Sequence, residues 1–414
     1  MSFSGAKRND FMSAGFPTFD RIQQVVRQMK DELVALRRDF HAYPELSWKE
    51  FKTAERVAGE LQRVGLEVQE GVCGTAVVAE LKGGGKGVLA IRSDMDALPL
   101  HDSKDVPYAS RVTGALHACG HDSHMAIVIG VAKALQKLGT ELPGTVRFIF
   151  QPSEETAPSG AGELVKAGVM QDVDHILAFH VDPEIQVGKI GLRKGVLTAN
   201  CNEFILNVIG KSGHAARPHH AIDTVYLSNQ ILNLLYDVVS SHAGSLAPAV
   251  LTIGKIQGGT KSNVIPEKVE IAGTIRTVDA QTRDDIQNAI AERVHALTRA
   301  AGGSYQLEFP EPIPSVVNDA GLVEMARDVA VKMLGQESVV EITKVSMGGE
   351  DFSWYLTKAP GALIRLGVRK PDGAITYLHT HEFDIDERAL TVGTSLMTAM
   401  VLTYFRQATQ LPAA

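Results

Sequence analysis

The chain has 414 residues, 44% of them hydrophobic and 21% charged, which excludes a disordered or fibrous protein and leaves ample material for a core. A formal charge of -7 with no dense Lys/Arg block excludes a nucleic-acid footprint, and no run of 18 apolar residues or basic amphipathic segment points to a membrane. The expected partner is a small molecule. At about 100–200 residues per domain the length predicts two domains, at most three.

The first twenty residues, MSFSGAKRNDFMSAGFPTFD, mix charge, Gly and Pro without an apolar core, so they do not read as a secretory signal. Residues 1–18 carry no other signal, and Met12 offers an alternative start. Three scattered cysteines, Cys73, Cys119 and Cys201, argue against a disulfide framework and for a reducing compartment, with the cytoplasm as the expected location. A helix is predicted over 20–39, where Ile22, Val25, Val26, Met29, Leu33 and Leu36 form one stripe. A second follows, with Ser47 and Glu50 spaced as a capping box and Gly65 at its end.

Short apolar runs at 76–81, 88–92, 145–150 and 175–180 predict strands, with a helix over about 123–138 between the second and third. That alternation is an α/β sheet. LKGGGKG (81–87) lacks phosphate-loop spacing and reads as a hairpin between the first two strands. From about 200 to 309 the order is strand, helix (about 221–241), strand, strand, helix (about 282–300), strand, which is the β-α-β-β-α-β pattern of a ferredoxin-like module. A helix near 319–334, a strand at GALIRLGV and a helix near 386–407 then resume the first pattern, so the middle reads as an insertion. The expected division is a catalytic domain in two parts, 1–198 and 312–414, around an inserted domain, 199–311.

The chemistry-bearing residues fall just past the apolar runs: Asp94 and Asp96 after VLAIRS, Glu154 and Glu155 after TVRFIF, and His180 closing ILAFH. Ligands bind at the carboxyl ends of strands in open α/β sheets, so residues distant in sequence can meet there. HACGHDSH (117–124) sets Cys119 and His121 two apart before a helix, a thiolate–imidazole pair suited to zinc or a neighbouring transition metal. Alone, that pattern fits a buried structural cysteine and a capping histidine equally well. The Glu154–Glu155 pair, which in isolation reads as a solvated loop, places two negative charges after a buried strand, a costly arrangement unless a cation or proton is shared. Adjacent residues of an extended chain point to opposite sides, so one carboxylate can hold metal while the other faces substrate. With His180 and with His381 of YLHTHEFD, one pocket would hold a cysteine, three histidines and a carboxylate. Five protein ligands exceed the four of a tetrahedral zinc and favour two metals, which can polarise a carbonyl and acidify a water together.

HACGHDSHM, IRSDMDALPL, FQPSEE, SGHAARPH, NVIPE, GTIRT, GGEDFSWY and LHTHEFD together resemble the amidohydrolase family of hippurate hydrolases, bacterial N-acyl-amino-acid aminoacylases and plant auxin-conjugate hydrolases. That family lies within the dinuclear-metal aminoacylase/carboxypeptidase superfamily, and the resemblance runs in order from about residue 36 to 405. It implies a mixed-sheet, zinc-exopeptidase-like α/β catalytic domain and an inserted ferredoxin-like α+β domain for dimerisation and closure. It further implies two divalent metals on Cys119, His121, Glu155, His180 and His381, with Glu154 as general base. Asp96 would orient the site from behind the ligands. Relatives with the related H-x-D motif carry a histidine where Asp94 stands, so Asp94 is not carried over as a ligand, and HDSH departs from the commoner HDGH at Ser123. His214 would stabilise the oxyanion, commonly across a dimer interface. Asn263 and Arg276 would bind substrate, Arg276 through its carboxylate, and Gly349 would form one wall of the pocket.

The resulting expectation is hydrolysis of the amide bond of N-acyl amino acids by a cytoplasmic homodimer or tetramer, using zinc or manganese, with cobalt or nickel as further options. A dipeptide exopeptidase shares every ligand and is the alternative. A zinc nucleobase deaminase is disfavoured because its H-x-E and P-C-x-x-C signature is absent. A catalytically inactive metal- or ligand-binding scaffold is the distant non-enzyme reading.

Overall fold

The computed structural model describes residues 16–242 and 248–410, so the readings of residues 1–15, Met12 included, lie outside the described residues. The Thr18 hydroxyl accepts a hydrogen bond from the Arg21 amide at 3.2 Å and starts α1 (Phe19–Gln28). The single helix expected over 20–39 is in fact two, because α2 (Lys30–Ala42) starts afresh after Met29. There the Met29 amide turns back to the Val26 carbonyl at 3.0 Å, a tighter turn than the α-helix makes. All six apolar residues of the stripe are nevertheless buried.

The next helix, α3 (Phe51–Arg63), buries Ala54, Val57, Ala58 and Leu61. Its start corrects the expected capping box. Glu45 accepts from the Thr53 amide at 2.8 Å and the Thr53 hydroxyl at 2.9 Å, while the Ser47 and Glu50 side chains bond elsewhere.

There follow β1 (Glu67–Val72), β2 (Ala76–Leu81), β3 (Val88–Asp94), α4 (His121–Leu138), β4 (Thr145–Gln151), α5 (Gly160–Lys166), β5 (His175–Gln186) and β6 (Ile190–Leu192). Next come β7 (Asn200–Ile209), α6 (Thr224–His242), β8 (Ala249–Gly258), β9 (Lys268–Thr277), α7 (Ala280–Ala300) and β10 (Ser304–Glu308). The chain closes with α8 (Ala320–Leu334), β11 (Val339–Glu341), β12 (Gly361–Arg369) and α9 (Arg388–Gln410).

Two compact units emerge. Among the described residues, one comprises 16–195, 317–343 and 354–410, and the other 196–242, 248–316 and 344–353. The first contains an eight-stranded mixed sheet in the order β1-β2-β4-β3-β5-β12-β6-β11. The glycine-rich hairpin is corrected here: β4 lies between β2 and β3, antiparallel to one and parallel to the other. LKGGGKG is therefore a crossing connection, and Gly83 and Gly85 lie so close to the Leu142 and Pro143 carbonyls that a Cβ would come within 2.2 Å.

Helix α4 is apolar on all sides and buried from His121 to Leu135, so it is an interior element rather than a surface one. Parallel pairing sets Asp94 beside Gln151 and Arg92 beside Ala178, which brings the ends of β3 and β4 level with the middle of β5. His180 therefore lies within β5 and does not close it as expected, since that strand continues to Gln186.

The second unit is the predicted β-α-β-β-α-β module, with an antiparallel sheet in the order β8-β9-β7-β10. Its core joins Phe204, Leu206 and Val208 of β7 to Ile231 and Leu235 of α6 and Ile286 and Ile290 of α7. No helix of the described residues is long and apolar enough to cross a membrane.

In the first unit the buried Asn318 amide group donates to the Arg193 and Leu363 carbonyls, both at 3.0 Å, and accepts from the Leu363 amide at 2.8 Å. Asn318→Ala strands the two buried Leu363 backbone groups and the part-buried Arg193 carbonyl and is expected to cost about 3 kcal/mol, read as a lower urea midpoint at unchanged slope. A cost under about 1 kcal/mol would show those groups finding other partners.

Candidate metal centre

Cys119 and His121 flank Gly120, the residue preceding α4, which has a φ of +82°. A Cβ there would lie 2.4 Å from a Val181 methyl, so only glycine lets this turn approach β5. The buried Cys119 Sγ then lies 3.4 Å from His180 Nε2.

Hydrogen bonds decide which imidazole nitrogens are open. His121 Nδ1 donates to the Asp96 carbonyl at 2.8 Å, leaving Nε2 buried and without a hydrogen-bond partner. His180 Nδ1 donates to the Val181 carbonyl at 2.7 Å, which turns its Nε2 toward the Cys119 sulfur, its hydrogen-bond partner at 3.4 Å. His124 differs. Its Nε2 accepts from the Val181 amide at 2.9 Å and its Nδ1 donates to Asp94 Oδ1 at 2.6 Å, so neither nitrogen is open. Asp94 also takes Arg92 Nη1 at 2.7 Å, and its Oδ2 lies 3.6 Å from His121 Nε2.

Asp96 clamps the opposite wall. Its Oδ1 and Oδ2 accept from the Glu154 and Glu155 amides, both at 3.1 Å, and its Oδ2 also accepts from Ser47 Oγ at 2.7 Å. Ser153, just before them, has a left-handed φ of +50°. Ligand atoms of Cys119, His121 and His180 lie within 4.8 Å of one another, as do those of His121, Glu154 and Glu155. A third set at the same spacing joins Cys119 and Glu155 to His379.

His379 replaces His381 in this arrangement. The His379 amide donates to the Ala118 carbonyl at 2.8 Å, its φ is +60°, and its Nε2 lies 3.2 Å from Glu155 Oε1, a buried oxygen with no hydrogen bond. His381 turns instead to the His101 carbonyl, 2.7 Å from its Nδ1, and belongs to none of these groups. Arg37 ties the loop to the helix start, with Nε 2.8 Å from Asp122 and Nη2 2.9 Å from Asp384. His41 adds a 2.6 Å contact to Asp122. None of Arg37, His41 or His124 stands out in the sequence, because each bonds to a carboxylate 30 or more positions away.

Charge explains what the pocket fits. Burial, and after it the Glu155 and Glu154 carboxylates, push the Cys119 thiol well above its usual range. Burial lowers His121, but Asp94 and Cys119 outweigh it and hold the ring well above the usual imidazole range. Burial, with Arg365 and His124, pushes His180 well below that range and keeps it neutral. Cys119 and His121 would give up those protons on holding a divalent cation, which would reverse the first two. One thiol, imidazole nitrogens and an unsatisfied buried carboxylate oxygen suit such a cation.

The remaining sequence candidates lie in the second unit, in two places. His214 pairs with Val264 in a short ladder, accepts from the Ala216 amide at 3.0 Å, and sits beside Asn263, whose carbonyl takes the Ala215 amide. Arg276 Nη1 donates to the Met347 carbonyl at 2.8 Å, and Arg276 lies opposite Cys201, whose Cβ approaches Gly349.

The model of peptidase family M20/M25/M40 matches residues 90–403, spanning both the cysteine–histidine turn and the His379 loop. The chain belongs to this family. It is 37% identical over 379 residues to thermostable carboxypeptidase 1 of Saccharolobus solfataricus, covering 90% of this chain and 95% of the relative. It is 39% identical over 302 residues to an N-acyl-L-amino acid amidohydrolase of Geobacillus stearothermophilus, covering 73% of this chain and 82% of the relative. The crystal structure of a dinuclear metal-binding M20 peptidase of Bacillus subtilis matches with a TM-score of 0.80 at 34% identity, covering 92% of this chain and 99% of that one. As an M20-family member, the protein is a metal-dependent amidohydrolase.

The geometry separates the two loop histidines. His379→Ala is expected to weaken metal binding by more than the ~10–100-fold typical of losing an outer partner, and His381→Ala by less than that. Metal titration of both variants checks this, and the reverse order would return His381 to the pocket.

Proposed function

We propose that the protein hydrolyses the amide bond of N-acyl amino acids, releasing a carboxylate and a free amino acid. Two divalent cations would be held by Cys119, His121, Glu155, His180 and His379. The observation that carries this reading is a ligand nitrogen of His121 within 4.8 Å of carboxylate oxygens of both Glu154 and Glu155, in a ring whose buried Nε2 has no hydrogen-bond partner. Zinc fits the thiol and imidazoles best, and manganese is second because of the carboxylate. When bound, the cations supply polarisation of the acyl carbonyl and acidification of water.

Glu154 takes the proton from the attacking water as its oxygen bonds to the acyl carbon. As the C–N bond breaks, Glu154 delivers that proton to the departing amine nitrogen. His214 donates to the oxygen that becomes negative, and the Arg276 fork pairs with the substrate carboxylate through the donors that Met347 does not use. Asn263 and Gly349 line the substrate. In this reading the inserted unit also serves as lid and dimer surface, which its exposed Tyr226, Val225 and Ile256 support. Three free cysteines fit action in the cytoplasm.

The carboxypeptidase relative supports a second reading, cleavage of dipeptides at the same centre. N-acetyl, N-benzoyl and N-indoleacetyl amino acids assayed beside dipeptides separate the two, the acyl compounds being expected to give the higher kcat/KM. Glu154→Gln is expected to lower kcat by about 10²–10⁴-fold with metal content unchanged. Near-normal turnover by that variant removes Glu154 as the base.

A further inference from the structure

Glu50 is fully buried, yet among the described residues no cation pairs with it. Its Oε2 accepts from Thr75 Oγ1 at 2.9 Å and its Oε1 from the Ser153 amide at 2.9 Å. Burying a carboxylate on two neutral donors is costly, and stability alone would favour a neutral side chain there. Nor does it cap α3, which it immediately precedes, because Glu45 takes that role.

What Glu50 does hold is the turn that launches Glu154. Ser153 sits at φ +50°, a conformation that costs a non-glycine residue about 1–3 kcal/mol and persists only when its surroundings over-determine it. Three consecutive amides, those of Ser153, Glu154 and Glu155, are taken by two buried carboxylates, Glu50 for the first and Asp96 for the other two. The same short segment supplies Ser47, which donates to Asp96 at 2.7 Å. The residues spaced as a capping box thus both serve the Ser153–Glu155 turn.

We propose that Glu50 is a positioning residue for Glu154, fixing the left-handed turn at Ser153 so that the Glu154 and Glu155 side chains part toward different tasks. This rests on Glu154 being the base, as proposed above. Loss of the Ser153 contact lets the turn relax, and a misplacement of about 1 Å can cost about 100-fold in rate. Glu50→Ala is therefore expected to lower kcat at least tenfold while KM moves less than threefold and metal content is unchanged. Glu50→Gln keeps a carbonyl oxygen for the Ser153 amide and an N–H for Thr75 Oγ1, and is expected to stay within threefold of the parent. Glu50→Met fills the volume without an acceptor and should behave as the alanine variant.

Steady-state kinetics and metal analysis of the full-length protein and its variants decide the matter. Wild-type kcat in Glu50→Ala, equal losses in Glu50→Gln and Glu50→Ala, a loss confined to KM, or failure of both Ala and Met variants to fold would each overturn the proposal. Glu154→Gln distinguishes the two failures. If it is inactive while Glu50→Ala is fully active, only the role of Glu50 falls; if it is active, the base assignment falls first.

Discussion

The structure turns on a buried concentration of metal-ligating side chains. Cys119, His121 and His180 bring ligand atoms within 4.8 Å of one another, and overlapping sets at the same spacing join Cys119 to Glu155 and His379 and His121 to Glu154 and Glu155. Carbonyl oxygens of Asp96 and Val181 lock the tautomers of His121 and His180. Burying such groups without a counter-charge is expensive, so the surrounding architecture makes physical sense only around cations. The Asp94–His124–Arg92 cluster shows the contrast, since Arg92 and His124 both donate to Asp94 and His124 Nε2 accepts from the Val181 amide.

Backbone strain delivers the side chains. Gly120, Ser153 and His379 all have positive φ, and each lies in or beside the pocket. Parallel pairing levels β3, β4 and β5, after which these three turns aim residues from three separate loops at one place. Rigid strands supply the platform and strained turns the direction, a division usual at sites that must be preorganised. The Arg37–Asp122–Asp384 bridge then binds the start of α4 to the loop carrying His379.

Much of this was legible in local sequence. The C-x-H turn, the Glu-Glu pair after TVRFIF and the β-α-β-β-α-β order are short-range patterns, and the structure displays all three. The choice between His379 and His381 was not legible, because two histidines flanking one threonine look alike. It depends on a left-handed φ and on carbonyls of Ala118 and His101, which come from remote segments. Ser47 and Glu50 misled for a related reason: their spacing satisfies a local rule, but their partners, Asp96 and Ser153, are 49 and 103 positions away. The glycine run failed as a hairpin because β4, encoded some 60 residues later, inserts between the strands it links.

X-ray absorption spectroscopy of the zinc-loaded, active protein tests the central claim most directly. A sulfur neighbour at about 2.3 Å from zinc is expected, lost in Cys119→Ser and retained in Cys73→Ser and Cys201→Ser. A fully active protein whose metal sees only nitrogen and oxygen would contradict it.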